Sequence, residues 1–155
     1  MSGYTTETRA WFNNQAPDQR LVFITIDERQ MSRDMSGRYE PIYALLTTPA
    51  GKTESGLDRR TFLPSSGYTN EALMVARDDL GGPRFVARCL AGGDAVKAVA
   101  ACERDIHVGD NLSLTYRFPR SMLDDWRALD ATMHGFANAI IATPMRPGAL
   151  KTSRL

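Results

Sequence analysis

The segment Leu21-Val22-Phe23-Ile24-Thr25-Ile26 is the most strand-like stretch of the chain. It is β-branched and nearly continuously apolar, a pattern that predicts a strand covered on both faces. Residues 71–77 and 84–90 are two short apolar runs around Asp78-Asp79-Leu80-Gly81-Gly82-Pro83. They predict a hairpin in which Phe85 and Ala87 alternate against Arg84, Val86 and Arg88. Residues 111–118 alternate cleanly, which places Leu112, Leu114, Tyr116 and Phe118 on one strand face. Residues 39–48 also have strand character, with Pro41 pushing their start toward a sheet edge. His107-Val108-Gly109-Asp110 predicts a turn, and Pro64-Ser65-Ser66-Gly67 a loop. Residues 53–68 give no clear period, and residues 94–102 fit either a helical turn or a strand.

The period changes after Pro119. Leu123, Trp126, Leu129, Met133, Phe136, Ala137 and Ile140 recur at steps of three and four. They predict an amphipathic helix of about five turns that ends before Pro144. Ser121 is placed to cap it, with Asp124 three residues on, and Asp124 and Asp125 complement the dipole of its first turn. The apolar stripe needs a surface to cover, and the strands before it supply one. The fold expected is α+β: an antiparallel sheet of five or six strands with a C-terminal amphipathic helix packed across one face. Residues 1–19 read as a polar arm or short helix around Trp11 and Phe12. Residues 20–142 read as one domain, and 143–155 as an irregular tail.

Composition narrows the classes of partner. The 155 residues fit a single domain, and 43% hydrophobic with 24% charged residues is the balance of an ordinary folded chain. A formal net charge of +1 supplies no field to steer the chain toward nucleic acid or an anionic membrane, so neither is the expected partner. No apolar run approaches the 18 or so residues that a membrane span requires. Met1-Ser2-Gly3-Tyr4-Thr5-Thr6-Glu7 lacks the basic and apolar regions of a secretory signal. The expected compartment is therefore cytoplasmic, or periplasmic or secreted if a signal has been removed. Of the 19 basic residues 16 are arginine, the others being Lys52, Lys97 and Lys151. GC-rich coding produces that bias. So does interface use, because the planar guanidinium pairs well with carboxylates at protein contacts.

Motifs for chemistry are sparse. The Gly-x-Ser-x-Gly elbow is absent, and only His107 and His134 are available as imidazole bases. Cys89, Cys102, His107 and His134 are separated by 12, 4 and 26 residues, which matches no zinc site. The pairs Gly81-Gly82 and Gly92-Gly93 match no phosphate-binding pattern. No metal and no cofactor is expected. Asp27 and Glu28, at the end of a strand, are placed to line a cleft, and with His107 they are the candidates for a small hydrolase. Tyr116-Arg117-Phe118-Pro119-Arg120 interleaves aromatics with arginines, yet alternation puts Arg117 opposite Tyr116 and Phe118, so it does not form a nucleic-acid face.

Two thiols at Cys89 and Cys102 are the expectation in a reducing compartment; after export they become one disulfide. The function expected is a non-enzymatic protein-binding or structural subunit of a larger assembly, of phage or mobile-element type, with a protein partner or further copies of itself. Its contact residues are Arg84, Arg88 and Arg117 on one sheet face, with Arg146 and Leu150 in the tail. An exported, disulfide-containing binding domain and the hydrolase are the alternatives.

Overall fold

The computed structural model describes residues 20–142, apart from positions 50, 52, 94, 96 and 97. The readings made for residues 1–19, for the tail, and for Arg146 and Leu150 lie outside the described residues. Seven strands form one antiparallel sheet: β1 (Phe23–Glu28), β2 (Thr53–Glu54), β3 (Leu57–Thr61), β4 (Glu71–Arg77), β5 (Pro83–Leu90), β6 (Cys102–Val108) and β7 (Leu112–Phe118). Their order across the sheet is β1-β7-β6-β5-β4-β3-β2. A helix, Trp126–Ala142, covers one face, so the α+β architecture is as expected with seven strands rather than five or six.

β2 and β3 come from the segment without a clear period, and β6 overlaps the segment read as helical turn or strand only at Cys102. Glu54 pairs with Leu57 across Ser55-Gly56, both of which have positive φ (54° and 74°). A two-residue turn of that hand follows the twist of the strands it joins, which is why so short a hairpin closes. The β4–β5 hairpin forms as the alternation predicts, with Ala72 opposite Cys89 and Met74 opposite Ala87. His107 and Val108 belong to β6 and not to a turn, which is confined to residues 109–111.

Two strand readings are overturned as well. Residues 39–48 are not a strand: Tyr39–Tyr43 is a π-helical turn that continues into an α-turn at Ala44–Leu46, and Thr47 alone bridges to Phe62. Pro41 is tolerated there because the first turn of a helix has no acceptor for its missing N–H. The helical step places Tyr39 and Tyr43 on one face. Both are buried with Met35 over Leu73, Val75 and Val86, on the sheet face away from the long helix. The second is β1, which is not covered on both faces. It is an edge strand, and all six of its residues are exposed.

The main core lies between the sheet and the long helix. Leu114, Tyr116 and Phe118 from β7, Ile106 from β6 and Phe85 from β5 meet Trp126, Leu129 and Met133. The Phe85 and Trp126 rings sit 4.9 Å apart, centroid to centroid. The helix begins later than its sequence suggests. Arg120–Asp125 forms a 3₁₀ turn, so Ser121 is not its cap. Asp124 accepts a hydrogen bond from Ser55, and Asp125 pairs with Arg20 at 2.9 Å.

Candidate functional site

Three features converge around β6 and β1. The first is a seam in the sheet. β5 and β6 pair only at Arg88–Glu103 and Cys89–Cys102, with one further backbone bond from the Leu90 N–H to the Ala101 carbonyl at 2.8 Å. A disulfide joins Cys89 to Cys102 directly across the two strands. Beyond it the strands part, and the Arg104 side chain fills the gap. Its Nη1 donates to the Val86 carbonyl of β5 at 3.1 Å and to Ser36 Oγ at 2.7 Å. Its Nε donates to Asp130 Oδ1 on the long helix at 2.9 Å. One guanidinium thus supplies donors to a carbonyl that β6 has abandoned and ties together the helix, the sheet and the segment beneath it. Tyr116 Oη donates to the same Asp130 oxygen at 3.0 Å. Burial raises the Tyr116 pKa most; Arg104 opposes that rise, and Asp130 adds to it.

The second feature is a cleft on the face away from the long helix. Asp27 of β1 stands opposite Ser113 of β7, which stands opposite His107 of β6; Thr25, Thr115 and Asp105 form the next row, and Phe23, Arg117 and Glu103 the one after. Asp27, Glu103, Asp105, Ser113 and Thr115 line the cleft, and Arg38 closes one side of it. Arg38 donates to both Asp105 carboxylate oxygens, at 3.3 and 2.6 Å. Burial disfavours its charge, but hydrogen bonds to Asp105 and Tyr43 outweigh that and hold its pKa above the usual arginine value.

Of the three residues considered for hydrolysis, Asp27 and Glu28 line the cleft and His107 does not. His107 stands in one cross-strand row with Ser113 and Asp27. Glu28 accepts from the Asn111 side chain at 3.2 Å. The row runs carboxylate, hydroxyl, imidazole, whereas nucleophilic catalysis of the serine type needs the imidazole between the other two. His134 lies 3.6 Å from Asp130, four residues earlier on the helix. Among the described residues no group of His, Cys, Asp and Glu is arranged to hold a metal ion.

Of the arginines proposed for contact, Arg88 and Arg117 share one cross-strand row, on either side of Glu103. Arg88 bonds Glu103 at 2.7 Å, stands 3.6 Å from Glu71 and lies over the Tyr68 ring. Arg117 is exposed, in register between Phe23 and Glu103. Arg84 places its guanidinium 5.9 Å from the centre of the Trp126 ring.

The third feature is β1 itself. Among the described residues β7 is its only strand neighbour. The Arg29 N–H donates to the Asn111 carbonyl at 2.7 Å, and this fixes the phase of the ladder. Phe23, Thr25 and Asp27 therefore exchange bonds with β7, while Ile24, Ile26 and Glu28 turn their backbone groups to the open side. Phe23, Ile24 and Ile26 remain 47, 38 and 39% exposed. Sequence reasoning found β1 but misread its surroundings, and it passed over Arg104 and Asp130. Each of those interrupts an apolar row: Arg104 stands between Cys102 and Ile106, and Asp130 between Trp126 and Met133.

Compared with protein-family models, curated proteins and solved structures, neither the chain nor its fold finds a match. No described helix is long and apolar enough to cross a membrane.

Proposed function

We propose that this chain is a non-enzymatic, protein-binding subunit of a larger assembly and that β1 is its docking strand. The observation that carries the reading is a six-residue edge strand, open among the described residues, with Phe23, Ile24 and Ile26 all exposed. Proteins ordinarily blunt such edges with charge, proline, bulges or short length, because an open ladder templates pairing with another chain. The opposite edge follows that rule, since β2 is only two residues long. β1 carries charge only at its end, at Asp27 and Glu28, contains no proline and keeps an unbroken register with β7. Strand addition takes affinity from main-chain bonds and specificity from alternate side chains, and β1 offers both.

The disulfide favours a second element of the reading, that the subunit works in an oxidising compartment rather than in the cytosol. Thiol titration of the denatured chain from its natural host tests this; two free thiols would remove it. The docking role is tested by a photo-crosslinking residue at position 24 in the producing cell. A discrete crosslinked product, lost when Ile26→Pro removes a donor from the open edge, supports it. Crosslinking at exposed Leu45 but never at position 24 would overturn it.

A further inference from the structure

We propose that the occupant of the β1 edge is a second copy of the chain, added antiparallel about a two-fold axis through Ile24; this rests on the reading of β1 as a docking strand. The phase of the ladder restricts the possible registers. Ile24, Ile26 and Glu28 present their N–H and C=O groups to the open side, so in a self-pairing only even-numbered residues exchange bonds with even-numbered ones. Centring on Ile24 places it against Ile24 of the second copy, and Val22 against Ile26. Extending the pairing back to Arg20 then sets that guanidinium against Glu28, twice by symmetry. On the cleft side Phe23 meets Thr25, and Leu21 meets Asp27 at the rim.

The neighbouring registers are poorer. Centring on Thr25 buries Glu28 against Val22 and Asp27 against Phe23, and leaves Arg20 without a carboxylate opposite. Centring on Ile26 sets Glu28 against Ile24 on both sides of the axis. Of these three registers only the one centred on Ile24 pairs the apolar row with itself and sets Arg20 against Glu28 at both ends; centring on Phe23 would set Arg20 against Ile26. Arg20 is available for this role: its side chain is 55% exposed and only Nη2 is engaged, by Asp125 at 2.9 Å. With the axis normal to the sheet, the two long helices lie on the same side of one continuous sheet.

The test is the solution mass of the full chain, by light scattering behind a sizing column over a wide concentration range. The expected result is twice the chain mass. Ile24→Lys should return a monomer with its thermal transition and near-ultraviolet spectrum retained. Arg20→Glu and Glu28→Arg should each raise the dimer dissociation constant about tenfold, and the double swap should restore it. In Ile24→Cys, mild oxidation should give a covalent dimer. A monomer at every concentration, a dimer indifferent to Ile24→Lys, or a swap without rescue would overturn the inference. If the purified chain is monomeric while position 24 crosslinks to a different protein in cells, the second copy is excluded and the docking strand stands. If neither occurs, both readings fall.

Discussion

Arg104 and Asp130 meet at 2.9 Å where β6 has parted from β5 and the long helix crosses above them. Both side chains are buried, and each has other partners: Asp130 accepts from Tyr116, and Arg104 donates to Ser36 and the Val86 carbonyl. Removing one member of such a pair strands the other's charge in the interior, at a cost of about 3–5 kcal/mol. Arg104→Ala and Asp130→Ala are each expected to lose about that much stability in urea unfolding. Arg104→Met with Asp130→Leu should lose clearly less than the sum of the two. Additive losses would mean that the two residues act separately.

The disulfide bears on the same seam. Cys89 and Cys102 close a loop of sequence separation 13, a size for which the chain-entropy account gives roughly 3 kcal/mol. Reduction, or Cys89→Ala with Cys102→Ala, should lower the urea midpoint accordingly. It should also speed hydrogen exchange at Leu90, whose N–H bonds to Ala101 across the seam, ahead of exchange in the β4–β5 hairpin.

A pH dependence follows from Tyr116. Burial holds its phenol protonated well above the ordinary tyrosine value of 10.0. The unfolded chain releases this proton near that pH and the folded chain does not. The contribution is therefore complete below about pH 10 and is lost as pH rises beyond it, by up to about 1.4 kcal/mol per pH unit. Tyr116→Phe lacks this component. The difference in unfolding free energy between the parent and Tyr116→Phe should shrink through the alkaline range; a constant difference would rule the mechanism out.

The turn joining β2 to β3 is a local test. Gly56 has φ of 74°, a conformation that costs an L-residue with a Cβ roughly 1–2 kcal/mol. Gly56→Ala should destabilise by that amount, and Gly51→Ala, where φ is not positive and the nearest contact is ordinary, by much less.

How much of this was legible in the sequence depends on how local each signal is. The β4–β5 hairpin and β7 were readable because alternation and turn residues act over a few positions. The apolar stripe of the long helix was readable too, although its start was displaced by the 3₁₀ turn. Tyr39–Leu46 read as strand because tyrosine, isoleucine and leucine suit either state, and only the i,i+4 packing of Tyr39 and Tyr43 decides for helix. The exposure of β1 was not legible. An apolar run reports that a surface prefers cover, and whether that cover comes from the same chain or another depends on strand order, which alternation leaves open. Arg104 and Asp130 did leave a signal: a charge in phase with an apolar row needs a buried partner. Their being each other's partner required the fold.

β1 is the first of the described strands to be synthesised, yet its only described strand neighbour is the last. Phe23 pairs with Arg117, and at about 5–20 residues per second the intervening stretch takes several seconds to emerge from the ribosome. Throughout that interval β1, with its exposed Phe23, Ile24 and Ile26, has no ladder to join. Nascent chains on the same message would carry the same bare strand side by side, so chaperone occupancy during translation should fall most heavily on residues 21–28.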